Sequence, residues 1–276
     1  MTDASHYIQS LLESYPLREP LLRTVIQSLG LPPGSHGLDA GCGIGLPAML
    51  LADAIGPYGQ ITGMDIAPAF LSFGTDHVRN AGYADQVTFC AGDVSRLPFA
   101  DHSFDWAWSA DCIGYPLGEL APILEELMRV VRPGGSLILL AWSSQQLLPG
   151  YPLLEARLNA TCSAYIPYLA GTNPELSYLR AMRWFREAGL EDITARTFVG
   201  DVRVPLSHDQ RLALISLFDM LWGQPQPGVS LEDWQAYQRL CLPGSADFIL
   251  DLPDYYAFFT YTMFRGTVPA GNVSLV

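Results

Sequence analysis

The sequence predicts an α/β fold built on a doubly wound, mostly parallel sheet. Short apolar segments of strand length alternate with segments whose apolar residues recur at helical spacing. This alternation is typical of a parallel sheet with helices on both faces. In addition, a turn with Gly41, Gly43 and Gly45 joins the first apolar segment to the first helical one. Such a turn fits the point where a buried strand passes into a helix.

The elements follow in chain order. Gly37 and Leu38 belong to the first strand, and residues 46–55 form the helix after it. Further strands are predicted at residues 60–66, 87–91, 104–109, 136–142, 193–199 and 256–265. Residues 120–131 carry apolar side chains at helical spacing, so they predict an amphipathic helix that an Arg-Pro-Gly-Gly turn ends. Residues 179–188 predict one more helix.

Two segments interrupt this alternation. Residues 144–177 contain four prolines among tyrosines and leucines, which indicates an irregular or partly helical excursion. Residues 205–253 contain Ser207 and Gln210 at the spacing of a capping box, and Ser230 as the cap of a second helix. We interpret both segments as a helical cap over a substrate pocket.

Composition limits the partners of the chain. Its 276 residues carry 15 Lys and Arg against 28 Asp and Glu, a net charge of −13. Nucleic acid and anionic membrane surfaces are therefore excluded as expected partners. The apolar runs are shorter than the ~18 residues of a membrane span, and residues 1–7 do not resemble a signal peptide. Five scattered cysteines indicate reduced thiols in the cytoplasm, without a disulfide or a metal.

The glycine turn admits several interpretations. The helix after it offers free N–H groups and a positive dipole end, which suit a carboxylate or a phosphate. A P-loop is excluded because no Gly-Lys-Ser/Thr follows. A dinucleotide fingerprint stays open in the register that starts at Gly43, where Ala48 takes the place of the last glycine. A tight turn without a ligand is the third alternative.

Acidic residues at the ends of the next two strands favour a nucleoside ligand. Asp65 ends the second strand, 20 residues after Gly45, and its carboxylate can accept both hydroxyls of a ribose. Asp93 follows the third strand, where a carboxylate can accept from an adenine amino group. Each acid alone is an ordinary surface residue as readily as a ligand. Acids at consecutive strand ends that follow one glycine loop are rarely accidental, so together they indicate a ligand site.

The motifs together resemble the class I S-adenosylmethionine-dependent methyltransferases, in particular the small-molecule and quinone methyltransferases of the type 11 subgroup. The resemblance covers residues 35–143, with motifs at residues 38–45, 63–66, 91–93 and 129–135. It implies a Rossmann-like sheet of seven strands with an antiparallel last strand. The expected organisation is one domain over residues 1–276, with N-terminal helices at 1–34, the cofactor core at 35–143, cap insertions at 144–177 and 205–253, and the last strand at 254–268.

The resemblance also implies a set of cofactor contacts. Gly41 and Gly43 would pass beneath the methionine part of S-adenosylmethionine, with Asp39 beside its ammonium group and Asp65 on the ribose. The other positions implied to bind or adjoin the cofactor are Cys42, Gly45, Ile66, Asp93, Val94 and Ser109. Cys42 occupies a variable position of the loop, so we interpret it as a small filler and not as a nucleophile.

The expected reaction is direct methyl transfer to a small, apolar or aromatic acceptor, with S-adenosylhomocysteine as the product. No catalytic residue is identified; His208, Tyr115 and Asp111 are the candidates for a base. Two other functions stay open. The chain could bind S-adenosylmethionine without transferring the methyl group, or it could be a nicotinamide-dependent oxidoreductase that uses the Gly43 register. The acceptor and the oligomeric state are not predicted.

Overall fold

The computed structural model describes residues 2–113, 120–161, 174–224 and 228–270. It contains a seven-stranded sheet of order β3-β2-β1-β4-β5-β7-β6. The strands are β1 (His36–Ala40), β2 (Gln60–Asp65), β3 (Val87–Ala91), β4 (Phe104–Ala110), β5 (Val131–Gln146), β6 (Glu191–Arg203) and β7 (Tyr256–Thr267). Strands β1 to β5 pair with their neighbours in parallel. This pairing and the strand order confirm the predicted doubly wound fold.

Helices form at residues 46–55 and 120–130 and after Ser207 and Ser230, as predicted, and also at residues 68–80, where no helix was predicted. The helices are α1 (Thr2–Leu29), α2 (Leu46–Ile55), α3 (Pro68–Asn80), α4 (Leu120–Val130), α5 (Pro152–Thr161), α6 (Ala181–Glu187), α7 (His208–Trp222) and α8 (Leu231–Cys241). A single helix thus occupies most of residues 1–34, where we expected more than one. A 3-10 turn at Tyr178–Arg180 precedes α6, which is shorter than the helix predicted at residues 179–188.

The last strand is antiparallel, as the resemblance implied. Arg265 of β7 donates to Ser136 of β5, at 2.9 Å from Nη2, whereas Thr260 of β7 lies 2.8 Å from Ser143, between the two hydroxyl oxygens. The residue number therefore falls along β7 as it rises along β5, which is the signature of antiparallel pairing.

Strands β5, β6 and β7 extend further than their apolar segments predict. The prediction for β5 began at Ser136, but pairing with β4 already starts at Val131 and shifts register between Phe104 and Trp106. The strand also continues past Trp142 through polar residues to Gln146. Only the strand partners show these extensions, because the polar residues lack the apolar pattern of a buried strand.

The chain divides into two compact units. Unit 1 comprises residues 1–21, 143–174 and 199–261, and unit 2 comprises residues 22–142, 175–198 and 262–276. Unit 2 contains β1 to β4 and a core of apolar side chains from the sheet and the flanking helices, among them Leu38, Met64, Ala107, Leu127 and Phe185. Of the segments that we expected to form the cap, the described residues of 144–174 and 205–253 belong to unit 1, whereas residues 175–177 belong to unit 2.

Unit 1 has its own packed interior. The capping box of α7 is present as predicted, since Gln210 N–H donates to Ser207 Oγ at 3.1 Å and Ser207 N–H donates back to the Gln210 side chain. Ser230 caps α8. An ion pair between Arg157 and Asp233, with Nη2 to Oδ1 at 2.7 Å, links α5 to α8. These contacts stabilise the N-termini of α7 and α8 and join α5 to α8 within unit 1.

None of the described helices is long and apolar enough to span a membrane.

Candidate functional site

The glycine loop between β1 and α2 forms a tight turn against β2. Gly41, Gly43 and Gly45 have φ angles of 78°, 54° and 77°, in the left-handed region that glycine adopts without a steric cost. The N–H groups of Gly41 and Cys42 both donate to the carbonyl oxygen of Met64, at 2.8 and 3.0 Å. The sequence therefore needs glycines here because the chain must reverse while it stays bonded to β2.

The three glycines differ in what surrounds them. A Cβ at Gly41 would lie 2.2 Å from the Sγ of Cys112, and one at Gly45 would lie 2.4 Å from the ring of Phe89. A Cβ at Gly43 would meet no described atom within 4 Å. The loop is thus packed on both sides of Gly43 and open at Gly43 itself, which is where a ligand can approach the backbone closely.

Asp65, at the end of β2, holds this loop. Its Oδ2 accepts from the N–H of Gly43 at 2.9 Å, and its Oδ1 accepts from the N–H of Ala67 at 2.9 Å. The carboxylate therefore joins the open point of the glycine loop to the start of α3. The sequence predicts a ribose contact for Asp65 but not this second role, because a hydrogen bond between residues 22 positions apart leaves no local signal.

Asp39, at the end of β1, is almost completely buried. Its exposed fraction is 1 %, and no described group donates to its Oδ2. Burial, together with the negative charge of Asp65, raises the pKa of this carboxyl from its ordinary value of 3.8 to about 8. Asp39 is thus mostly protonated at pH 7, and one of its oxygens has an unused acceptor site.

We expect this burial to be visible in the stability of the ligand-free protein. Asp39 ionises at about pH 8 when folded and near pH 4 when unfolded, so between these values the folded state binds more protons. The contribution of Asp39 to the free energy of unfolding is therefore largest below pH 4. It falls by about 1.4 kcal/mol per pH unit between these two values and is constant above pH 8. Urea unfolding of wild type and Asp39→Asn between pH 5 and 8 measures the difference in slope. Parallel pH profiles would contradict the assignment.

Ile66, Asp93 and Val94 lie at the next two strand ends. Ile66 is 72 % exposed, which is unusual for a large aliphatic side chain beside a packed strand. Asp93 is exposed and accepts from the N–H and the hydroxyl of Ser95, and these two bonds lower the pKa of its carboxyl. Val94 is half-buried against the core of unit 2. An apolar surface and an acceptor are thus available beyond β2 and β3.

The two thiols beside the loop are poor nucleophiles. Burial and the charges of Asp39 and Asp65 raise the pKa of Cys42 far above its ordinary value. Burial likewise raises the pKa of Cys112 to about 11, with a smaller contribution from Asp65. Because only the thiolate is nucleophilic, neither group is suited to covalent catalysis at neutral pH. Cys42 is 5 % exposed and packs as a small residue.

The residues named as catalytic candidates fall in different parts of the chain. Asp111 follows β4 with a φ of 51°, and its Oδ1 accepts from the N–H of Trp142 at 2.8 Å. Ser109, on β4, is 1 % exposed. His208 is the exposed first residue of α7 in unit 1. Tyr115 lies outside the described residues. Asp111 and Ser109 thus belong to the unit that contains the glycine loop.

Two structural neighbours of the loop were missing from the sequence analysis. Phe89 lies against both Gly45 and Gly63, where added Cβ atoms would be 2.4 and 2.6 Å from its ring, and Cys112 lies against Gly41. The signal for Phe89 was Gly63 itself, because a glycine inside a strand marks a close approach by another group. In the described part of the chain, no three His, Cys, Asp or Glu side chains are placed to hold a metal ion.

The fold and the site define the class of protein. The glycine loop, the buried acid and the exposed strand-end residues lie at the carboxyl ends of β1, β2 and β3 in a doubly wound sheet. This arrangement is typical of Rossmann-like enzymes that bind a nucleotide cofactor. Comparison with known proteins gives the family. The model described as "Methyltransferase domain" matches residues 38–139.

Curated relatives and solved structures agree with this match. The chain is 30 % identical over 190 residues to demethylmenaquinone methyltransferase of Bacillus pumilus, covering 63 % of this chain and 78 % of the relative. It is 31 % identical over 193 residues to the enzyme of the same name from Bacillus cytotoxicus, covering 64 % and 78 %. A crystal structure of a SAM-dependent methyltransferase from Aquifex aeolicus shares the fold, with a TM-score of 0.55, 16 % identity, and coverage of 97 % and 100 %.

The chain therefore belongs to the class I S-adenosylmethionine-dependent methyltransferases, and S-adenosylmethionine is the cofactor of this class. The predicted enzyme class is confirmed.

Proposed function

We propose that this protein methylates a small, apolar or aromatic acceptor of the quinone type, and that the glycine loop with Asp39, Asp65, Ile66 and Asp93 binds the methyl donor. The observation that carries the proposal is the order of these groups along three neighbouring strand ends. The groups follow one another along the chain: the buried carboxyl oxygen of Asp39 without a donor, the open Gly43, the accepting carboxylate of Asp65 and the exposed side chain of Ile66.

The residues present fit the methionine and loop-facing parts of S-adenosylmethionine. Asp39 has an acceptor atom without a donor, and an ammonium group beside it would satisfy that atom. Gly43 has open space beside its α-carbon, so a bulky group can lie against the backbone there. The start of α2 adds N–H groups and a positive dipole end, which favour a carboxylate.

The residues also fit a nucleoside. Each carboxylate oxygen of Asp65 accepts one N–H and keeps a second lone pair, so the group can accept two ribose hydroxyls while it still holds the loop. The exposed side chain of Ile66 offers an apolar surface to one face of adenine. Asp93 offers an acceptor to the adenine amino group, and Val94 offers its backbone.

The acceptor class is supported by the names of the relatives. The two Bacillus enzymes are demethylmenaquinone methyltransferases, which points to an aromatic ring with an apolar substituent. The aromatic side chains outside the cofactor core give little support to an apolar pocket, because several of them are buried in the interiors of their units: Trp184, Phe218, Trp222 and Tyr237. Tyr165 and Tyr168 lie outside the described residues.

The chemistry asks little of a catalytic side chain. S-adenosylmethionine supplies a methyl group on a sulfonium, which is already activated for transfer. The protein must orient the acceptor and exclude water, and orientation of this kind is worth about 7–11 kcal/mol. A base is needed only where the acceptor keeps a proton at neutral pH, as a phenol does. We propose Asp111 for that role. Among the three candidates, it is the one that directly precedes Cys112, the residue that lies against Gly41 of the glycine loop. The role of residues 144–177 and 205–253 as a cap stays a prediction.

An acceptor screen tests the proposed function. Purified full-length protein would be incubated with radiolabelled S-adenosylmethionine and a panel of hydroquinones, phenols, amines and basic peptides. We expect label on the hydroquinones or phenols. Label only on amines or basic peptides would overturn the acceptor class. In parallel, thermal-shift titration should show stabilisation by S-adenosylhomocysteine and none by NAD, and the reverse result would overturn the cofactor assignment.

Replacing Ile66 tests the adenine surface. Ile66→Ala removes about 1 kcal/mol of apolar contact, so we expect the Kd for S-adenosylhomocysteine to rise about fivefold. The folded protein should lose little stability, because Ile66 is 72 % exposed without ligand. Leu153→Ala is the matched control, since Leu153 is 74 % exposed in unit 1. Equal affinities of wild type and Ile66→Ala would place the adenine elsewhere.

A further inference from the structure

The electrostatic surroundings of the buried acid Asp39 disfavour its ionised form. The carboxylate of Asp65 from β2 acts on it electrostatically, and Asp39 in turn acts on the thiols of Cys42 in the loop and Cys112 after β4. None of these three groups carries a positive charge in any protonation state. Burial and the charge of Asp65 therefore both oppose the ionisation of Asp39.

Its hydrogen bonding adds to this constraint. Asp39 Oδ2 has no donor among the described residues, while the neighbouring carboxylate of Asp65 has two N–H donors. The loop N–H groups of Gly41 and Cys42, which lie nearest in the chain, are both committed to the carbonyl of Met64. The ligand-free protein thus stabilises one carboxylate of the pair with backbone donors and leaves an oxygen of the other without one.

An ammonium group placed at this site changes the balance. It donates to the unused oxygen and supplies the positive charge that the surroundings lack, and both effects favour the ionised carboxyl. We propose that Asp39 is a proton-linked element of the cofactor site, which is protonated in the free enzyme and loses its proton to solvent when the methionine ammonium of the ligand binds. This inference rests on the proposed cofactor site.

The proton balance of this step is simple. The carboxyl O–H bond of Asp39 breaks, the electron pair stays on the carboxylate, and the proton passes to buffer. Binding and deprotonation are thermodynamically linked, so the affinity must depend on pH. Because burial raises the pKa of Asp39 to about 8, the Kd for the ligand should fall about tenfold per pH unit from pH 6 towards 8 and then level off.

Isothermal titration calorimetry with S-adenosylhomocysteine counts the protons directly. The full-length protein would be titrated at pH 7 in buffers of different ionisation enthalpy, such as phosphate and Tris. The slope of the observed enthalpy against ionisation enthalpy is the number of protons exchanged. We expect close to one proton released by the wild type, and close to none with 5′-methylthioadenosine, which lacks the amino-acid part.

Two variants sharpen the test. Asp39→Asn should release no proton, and Asp76→Asn, at an exposed acid on α3, should release as many as the wild type. If Asp39→Asn binds too weakly to titrate, the wild type alone decides, since its proton release should approach one at pH 6 and vanish above pH 9. Binding without proton release at pH 6 to 7 would overturn this inference and leave the proposed function intact. No binding of S-adenosylhomocysteine would overturn the proposed function itself.

Discussion

Replacing Asp65 by alanine is expected to raise the Kd for S-adenosylhomocysteine roughly a hundredfold, a loss of about 3 kcal/mol. Two causes combine. The proposed bonds to the ribose hydroxyls disappear, and the N–H groups of Gly43 and Ala67 lose the carboxylate that accepts from them at 2.9 Å. The loop then has to be ordered by the ligand during binding, which lowers the affinity further. Calorimetric titration of the full-length variant measures the loss.

A second ligand separates the two causes. The 2′-deoxy analogue of S-adenosylhomocysteine should bind the wild type much more weakly than the parent compound, and this penalty should shrink in Asp65→Ala. An equal penalty in both proteins would show that Asp65 holds the loop but does not contact the 2′-hydroxyl. Asp76→Ala is the control, because Asp76 pairs with Arg79 on the surface and such pairs contribute little. Unchanged affinity of Asp65→Ala would remove Asp65 from the site.

Alanine at Gly45 and at Gly43 is expected to damage different properties. At Gly45 the φ of 77° strains any side chain, and the new Cβ would lie 2.4 Å from the ring of Phe89. We expect Gly45→Ala to lower the free energy of unfolding by about 3 kcal/mol. At Gly43 the Cβ meets no described atom within 4 Å, so Gly43→Ala should cost only about 1 kcal/mol of stability.

The losses of affinity for S-adenosylhomocysteine should follow the opposite order, with the larger loss in Gly43→Ala. A methyl group at Gly43 occupies the open space that we assign to the cofactor, so the Kd for S-adenosylhomocysteine should rise more than tenfold. Urea unfolding and calorimetric titration measure the two properties. Gly82→Ala is the control for backbone strain, because Gly82 has a φ of 87°, no atom within 4 Å of an added Cβ, and a place after α3. Phe89→Leu should restore part of the stability of Gly45→Ala. Wild-type affinity in Gly43→Ala would contradict the placement of the ligand.

Much of the site could be predicted because its signals are local. A glycine at every second position of residues 41–45 and acids at the ends of apolar segments can be found without knowing how the strands pair. The same holds for the capping box of Ser207 and Gln210, since a helix N-terminus is specified within four residues. These features depend on neighbours in the chain.

Other features depend on neighbours in space. The sequence shows acids at the ends of two strands, but it does not show that Asp39 is buried with a raised pKa whereas Asp65 accepts two backbone N–H groups. The length of β5 beyond its apolar segment, and the contact of Phe89 with Gly45, likewise follow from strand register.

The sequence by itself therefore determined the fold class and the enzyme family, and it predicted the cofactor residues, because periodicity, turn chemistry and motif spacing are written along the chain. Only the tertiary structure decided which acid is buried, which glycine is open and which aliphatic side chain faces solvent. Burial and hydrogen bonding are set by residues that lie far apart in sequence and meet only when the strands pair.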